Sequence, residues 1–358
     1  AALPEALHIR QGARRRNQVR ATFWVLLLLA LISIASHCSQ EASAAADPWR
    51  FAVLCDTRGD NEPTLRKTCI NDAVVEAIAH DIVAEKCKIV LVPGDLVNGW
   101  WASGGTDYAE QFQNWKTAME PVYSADISVY PVRGNHENCS REPYPPPDPE
   151  LLEAYLGAFS GNVPLNGPER EESLTYFVEY KNALFIGLDQ YITPHRVNQD
   201  WLDEVLHDHL DNLPDGDTPP FVFVYGHEPA YRVCHEDCLA IYSAERNVFW
   251  RTLEENGVLA YFCGHDHLTY AQASSGDIPP HQIVVGGGGA PFVPNKSFYD
   301  PDVCPLAPEL GLHYANNTNY AYVIVTVTDM QVDAVLRLWS GPLVRTWTDV
   351  PLFTYGRP

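Results

Sequence analysis

Basic residues are scarce in this sequence. Twenty-four Lys and Arg stand against 46 Asp and Glu, for a net charge of −22 over 358 residues. An acidic excess of this size repels phosphate backbones and anionic membranes, which excludes non-specific nucleic-acid binding. It leaves room for a small phosphorylated substrate reached through a local cationic centre such as a bound metal. Long apolar runs are scarce too. Beyond the run from Ala21 to Ala35 nothing approaches the roughly 20 residues of a spanning helix, so the chain past residue 46 is expected to be soluble. Repeats are absent, and no linker is long enough to separate two domains, so residues 47–358 are read as one domain. A hydrophobic fraction of 46% with 20% charged residues excludes bulk disorder.

The first 46 residues have a different character. Arg10, Arg14, Arg15, Arg16 and Arg20 precede the apolar run, and Ala42-Ser43-Ala44-Ala45-Ala46 follow it. The basic, apolar, small order is that of a secretory signal peptide over residues 1–46, with cleavage near Ala45 or Asp47, and it predicts a secreted or periplasmic protein. An uncleaved anchor is the alternative, though the run is short for one. Nine cysteines less Cys38 leave an even set, compatible with disulfides outside the cytoplasm. Cys69 and Cys87 flank a predicted helix that would hold them roughly 27 Å apart, too far to pair. The spacing of Cys234 and Cys238 permits a small closed loop.

From residue 50 short β-rich runs alternate with helical patterns: Phe51 to Cys55, Ile89 to Val92, Ile127 to Val132, Leu184 to Leu188, Phe221 to Tyr225, Val258 to Cys263 and Ile283 to Val285. Between the first two, the apolar residues Leu65, Cys69, Ala73, Ile78 and Ile82 recur at helical spacing after Pro63. Tyr320 to Val327 and Val332 to Trp339 read as an antiparallel pair. The pattern predicts a layered α/β domain with a partly parallel sheet.

Polar residues stand just past these runs. Asp56 follows the first, Asp95 the second and Asn135-His136 the third; His227 follows Phe221 to Tyr225, and His265 with His267 follow Val258 to Cys263. In an open α/β sheet the crevice beyond the strand carboxyl ends is where ligands sit. One Asp after a strand is an ordinary turn former. Five strand ends delivering carboxylate, amide oxygen and imidazole are not explained by turns. This donor mixture suits Zn²⁺, Fe or Mn²⁺, and six donors suggest two ions sharing a carboxylate.

Gly94-Asp95, Gly134-Asn135-His136-Glu137, Gly226-His227 and Gly264-His265-Asp266-His267, in this order, resemble the calcineurin-like metallophosphoesterase superfamily. Leu188-Asp189, Gln199 with Trp201-Leu202, and Gly286 to Pro291 resemble its purple-acid-phosphatase-like extracytoplasmic members. The resemblance implies a four-layer α-β-β-α sandwich with mixed sheets. It implies that Asp95 bridges two metal ions, with Asp56 and His267 on the first and Asn135, His227 and His265 on the second. His136 is then the general acid and Glu137 the neighbour that orients it, with attack by a hydroxide shared between the ions. The implied function is an exported phosphoric ester hydrolase, a phosphomonoesterase. The alternatives are a phosphodiesterase for nucleotide or phosphocholine-type substrates and an inactive phospho-ligand binder.

Two positions depart from the family pattern. Arg58 stands where Asp-x-His places its histidine, and Asn98 stands where purple acid phosphatases have a metal-binding tyrosine. Arginine has no lone pair for a metal. Arg58 is read either as a bidentate phosphate ligand or as a salt-bridge partner of Asp60 or Glu62, and Asn98 as a substrate or metal contact. Trp100-Trp101, His195 and His235 are lesser rim candidates, whereas His207 and His209 are expected to be solvated. Sequons begin at Asn138, Asn295 and Asn316. Partners other than a small phosphorylated substrate are not indicated.

Overall fold

The computed structural model describes residues 47–59, 68–101, 107–138, 147–214, 216–274, 278–293, 311–341 and 346–357. The chain divides after Asp47, and the fold below is that of the unit beginning at Pro48. The proposed signal peptide, Asp60, Glu62, Cys139 and the sequon at Asn295 lie outside the described residues.

Two sheets form the centre. The first, of six strands, runs β13-β12-β11-β1-β2-β3. Its members are β1 (Trp49–Val53), β2 (Ile89–Val92), β3 (Ser128–Pro131), β11 (Tyr320–Val327), β12 (Gln331–Trp339) and β13 (Trp347–Gly356). The second, of seven strands, runs β10-β8-β9-β7-β6-β5-β4. It comprises β4 (Tyr176–Tyr180), β5 (Ala183–Gly187), β6 (Phe221–Tyr225), β7 (Ala260–Cys263), β8 (Thr269–Ser274), β9 (Ile278–Val285) and β10 (Gly311–Asn316). Both are mixed. β1, β2 and β3 are parallel, as are β5, β6, β7 and β9, while β11–β13 and β4, β8 and β10 pair antiparallel.

Alternation along each strand explains the layers. Phe51 and Val53 of β1, with Phe221 and Phe223 of β6, point between the sheets into one core, where Phe51 meets Phe185 and Phe223 edge-on at 4.9 Å. Their neighbours point the other way. Ala52 and Leu54 join the helices Asp72–Ala84, Tyr108–Ala118 and Pro149–Phe159 in a second core. Val222 and Val224 join the helices Gln199–Leu210 and Ser243–Glu255 in a third. Strands apolar on both faces must be covered on both, which gives helix, sheet, sheet and helix.

Three local expectations change. The first helix begins at Asp72, and Cys69 stands outside it with a left-handed φ of 64° that no helix accommodates. Cys238 is a free buried thiol, so the small Cys234–Cys238 loop is not closed by a disulfide. His209 is not simply solvated; its ring packs edge-on against Phe177 at 4.7 Å and its Nδ1–H donates to the Val205 carbonyl.

Candidate metal centre

The parallel strands β1, β2 and β3 end side by side, and β6 and β7 end at the same edge of the sandwich. Asp56, Asp95 and His265 leave their strands with φ of 54°, 53° and 71°. Left-handed backbone at a non-glycine residue costs on the order of 1–3 kcal/mol, so the surroundings must hold it. Glu137 does much of this holding. Its buried carboxylate accepts the N–H groups of Asp95 at 2.8 Å, Val97 at 3.1 Å and Gly134 at 2.8 Å, tying the β2 and β3 tips together. Arg133 binds Asp189 through Nε at 2.7 Å and Nη2 at 3.0 Å, which ties the β3 tip to the segment after β5. At Gly264 the backbone approaches so closely that a Cβ would strike the Asp56 carboxylate and the Cys55 sulfur. Only glycine lets the β7 tip carry its histidines up to Asp56.

Six donors converge there, and the hydrogen-bond roles of the imidazoles follow from their partners. His227 Nδ1 lies 2.8 Å from the Pro93 carbonyl, which can only accept, so Nδ1 carries the proton. Its Nε2 lone pair then faces Asn135 Oδ1 at 3.0 Å and Asp95 Oδ1 at 3.3 Å. Burial pushes the His227 pKa down to about 4, so the ring is neutral at pH 7 and does not supply a second proton. Reversing the Asn135 amide would leave the carboxylate facing the lone pair. His265 holds Asp237 Oδ1 at 3.1 Å with Nε2 and turns Nδ1 to Asn135 Oδ1, also at 3.1 Å. The His227 lone pair, an amide oxygen and a carboxylate aimed at one point with no hydrogen between them fit a cation, and His265 adds a donor once an ion displaces the proton on its Nδ1. Asp95, Asn135, His227 and His265 therefore form a fitting set for one divalent ion.

The other side is arranged differently. Asp56, Asp95 and His267 offer atoms within 4.8 Å of one another. His267 Nδ1–H donates to the Pro291 carbonyl at 2.8 Å, leaving Nε2 as its only lone pair. That lone pair lies 3.2 Å from Arg58 Nη2, and Arg58 Nε lies 3.7 Å from Asp95 Oδ2. The donors for a second ion are present, but the arginine holds one of them. Burial, then the Asp95 charge, push the Asp56 carboxyl up to about 8, so this pocket needs positive charge to ionise fully. Cys55 is near both, but its thiol donates to the Pro93 carbonyl at 3.2 Å, and burial and the Asp56 charge keep it protonated.

His136 stands over the shared carboxylate, its Nε2 3.8 Å from Asp95 Oδ2. Its Nδ1 is fixed by the Asn98 carbonyl at 2.9 Å. Burial, then Arg58, push its pKa down to about 3, so it takes a proton only when an anion arrives beside it. Glu137 orients the backbone under His136 rather than its ring. The Asn98 side chain is buried, and neither its Oδ1 nor its Nδ2 has a hydrogen-bond partner among the described residues.

A profile of calcineurin-like phosphoesterases matches residues 50–268. The chain belongs to the calcineurin-like phosphoesterase family. Its two mixed sheets are the sandwich of that family. Among solved structures it is similar to the purple acid phosphatase PPD1 from yellow lupin (Lupinus luteus), at 16% identity and a TM-score of 0.63. That match covers 87% of this chain and 54% of the lupin protein, so the chain spans about half of it. PhoD is similar at 14% identity and TM-score 0.59, over 88% of this chain and 70% of PhoD. A dimetal phosphatase from Danio rerio is similar at 16% identity and TM-score 0.52, over 86% and 99%. No curated protein sequence matches the chain.

In this calcineurin-like phosphoesterase all six predicted donors, His136 and Arg58 come together, whereas Glu137 binds backbone amides behind them and Asn98 reaches His136 through its carbonyl. His195 is turned to the buried Glu228 at 3.0 Å, and His235 to Asp266 at 2.8 Å, with the His235 ring 4.6 Å from that of His265. Trp100 is exposed at 44%, and the side chain of Trp101 lies outside what is described. Asp237 escaped the sequence reading, as did the carbonyls of Pro93, Asn98 and Pro291. Asp237 lies two residues past His235, which was noticed, so the same loop carried the signal.

Proposed function

We propose that this phosphoesterase is exported and hydrolyses phosphomonoesters, with His136 protonating the leaving oxygen. The observation that supports the acid role is the His136 ring. It is locked by Asn98 and presents Nε2 to the carboxylate around which the donors gather. The bound ion supplies an activated water and screens charge on phosphorus. The residues of the chain do the rest. Asp95, Asn135, His227 and His265 would hold the ion. The Arg58 guanidinium, beside Asp95, offers N–H groups to phosphate oxygens. A monoester dianion gains more from that second cation than a diester monoanion does, which supports the monoesterase reading. The incoming dianion lifts the depressed His136 pKa, so the acid is loaded as substrate binds. The first metal-site set, Asp56 and His267, then lies beside the phosphate as the place of a second positive charge.

His136→Ala should lower kcat by about 10²–10⁴ for alkyl phosphates, while p-nitrophenyl phosphate, whose leaving group needs no proton, should lose far less. Equal losses on both would remove His136 from the acid role. Faster turnover of bis-p-nitrophenyl phosphate than of p-nitrophenyl phosphate would make the enzyme a phosphodiesterase. Export rests on the basic, apolar, small order before Asp47. N-terminal sequencing of extracytoplasmic protein should begin near Ala45 or Asp47, and an uncleaved chain in that fraction would refute cleavage.

A further inference from the structure

We propose that Arg58 takes the place of the first metal ion, so that the centre works with one divalent cation and one guanidinium. This deepens the phosphoesterase reading and rests on it. The argument turns on a single lone pair. His267 Nδ1 is committed to the Pro291 carbonyl, and a neutral imidazole has one remaining acceptor, Nε2. Arg58 can only donate, so the Nε2 it faces carries the lone pair and the ring is neutral. Arg58 Nη2 stands 3.2 Å from that nitrogen. An ion bound to Nε2 would sit about 2.1 Å along the same direction, inside the space of the guanidinium N–H. Both cannot use His267 at once.

The pocket explains why an arginine settles there. Asp56 and Asp95 are both buried, and two carboxylates this close require a positive neighbour. In the family pattern an Asp-x-His histidine would add a lone pair, and the charge would come from the ion. Here the same position contributes a cation that is charged at every accessible pH and cannot be a ligand. Arg58 is itself only 12% exposed and spans from Asp95 to His267, the two remaining donors beside Asp56. The second side has no such intruder. His227 directs its Nε2 lone pair at Asn135 Oδ1 and Asp95 Oδ1, and His265 Nδ1 stands 3.1 Å from the same amide oxygen, with no arginine or lysine between them. One side therefore asks for an ion and the other has been supplied with a side chain.

Metal counting tests this directly on the full exported chain. The chelated protein would be titrated with Zn²⁺ by calorimetry, with bound metal measured by mass spectrometry after desalting. Wild type should take up about one ion per chain, and Arg58→Ala and Arg58→His about two, the histidine variant holding the additional ion more tightly because it restores a fourth donor. His267→Ala in the wild-type background should leave the count at about one, and in the Arg58→Ala background should return it from about two to one. Mn²⁺ loading gives an independent readout: an isolated ion in wild type and a spin-coupled pair in Arg58→His. Thermal unfolding of each variant shows that it is folded. Two tightly held ions in wild type, or a count that stays at one in both Arg58 variants, overturns the substitution while leaving the phosphoesterase reading intact. No ion in any variant overturns that reading, and the inference with it.

Discussion

Around Asn135, the His227 lone pair, an amide oxygen and a carboxylate face one another across about 3 Å with no donor between them, while around His267 the corresponding gap contains Arg58. The two sides have similar donors, similar burial and the same carboxylate, Asp95, at their border. What separates them is which cation the fold has built in. Motifs that name ligand types therefore do not fix the number of ions a site holds. If Arg58 stands in for an ion, the residue two places after the first aspartate decides it, because that side chain is either another lone pair or a charge.

The most damaging way to break the contrast is to remove the border. Asp95 Oδ1 is 3.3 Å from His227 Nε2 and accepts the His136 N–H at 3.1 Å, while Oδ2 faces Arg58 and His136. Burial raises its pKa, but His227, His136 and Arg58 outweigh that and leave the carboxyl below its ordinary range. Asp95→Asn should weaken ion binding by more than the about 10–100-fold typical of outer contacts, with activity falling to background. Metal retained after desalting and turnover of p-nitrophenyl phosphate would be measured together. An Asn variant that keeps its ion would show that the carboxylate is not a ligand.

A milder perturbation is to leave the residues and change the protons. Asp56 and Glu137 hold their protons to about pH 8 in the folded, metal-free chain, chiefly through burial and then the charge of Asp95. In the unfolded chain they ionise near pH 4. Above pH 7 the unfolded state thus has no such protons to lose, while the folded state does. The stability they contribute is fully present below the unfolded values and is lost as pH rises through about 8. The histidines with depressed pKa do not disturb this window, being neutral in both states above about pH 7, while His265, pushed up to about 10, adds a loss of the same sign across it. Metal-free protein should lose at least about 1 kcal/mol between pH 7 and 9, read as a fall of a few °C in Tm. Ion-loaded protein should show a smaller fall, because the ion takes over the charge of Asp95 that helps hold Asp56 protonated. Identical slopes with and without chelator would disconnect Asp56 from the centre.

Much of this was legible before any coordinates. Asp56, Asp95, Asn135, His227, His265 and His267 each follow an apolar run, and parallel strands bring their carboxyl ends to one edge. The two-sided apolar character of the runs through Phe51 and Phe223 announced helices on both outer faces. Of the antiparallel strands, β11 and β12 were legible as a pair, and β13, β8 and β10 were harder. β13 carries Pro351 beside an irregular register at the sheet edge, where a proline is tolerated but the sequence no longer looks like a strand. β8 and β10 mix polar and apolar residues without clean alternation. The partners that fix His227, His136 and His267 are carbonyls of Pro93, Asn98 and Pro291, and every residue has a carbonyl. Glu137 was read as the neighbour that orients His136, and nothing in the sequence marks the three amides, of Asp95, Val97 and Gly134, that its side chain accepts. For Arg58 the sequence offered phosphate or a nearby acid as partner; the fold adds His267, more than two hundred residues away, which no local pattern contains.

The gentlest test concerns Asp237, the one outer ligand on the ion-ready side that comes from a loop rather than a strand end. Its Oδ1 faces His265 Nε2 at 3.1 Å, and although burial raises its pKa, the pairing with His265 brings it below the ordinary carboxylate range. The same contact pushes His265 up to about 10, against the effect of burial, so without an ion the ring carries two protons at pH 7. An ion must displace the proton on Nδ1, which faces Asn135, while Asp237 keeps the one on Nε2. Asp237→Asn preserves shape and a hydrogen-bond acceptor but withdraws the charge that makes the imidazole a strong donor. Ion affinity should fall by about 10-fold, the low end for such contacts. The pH at which half the ion is released should move down, because His265 would hold its competing proton less tightly. Calorimetric titration at several pH values reads both effects. A variant with unchanged affinity and an unchanged pH of half-release would show that Asp237 anchors the loop and does not tune the ligand.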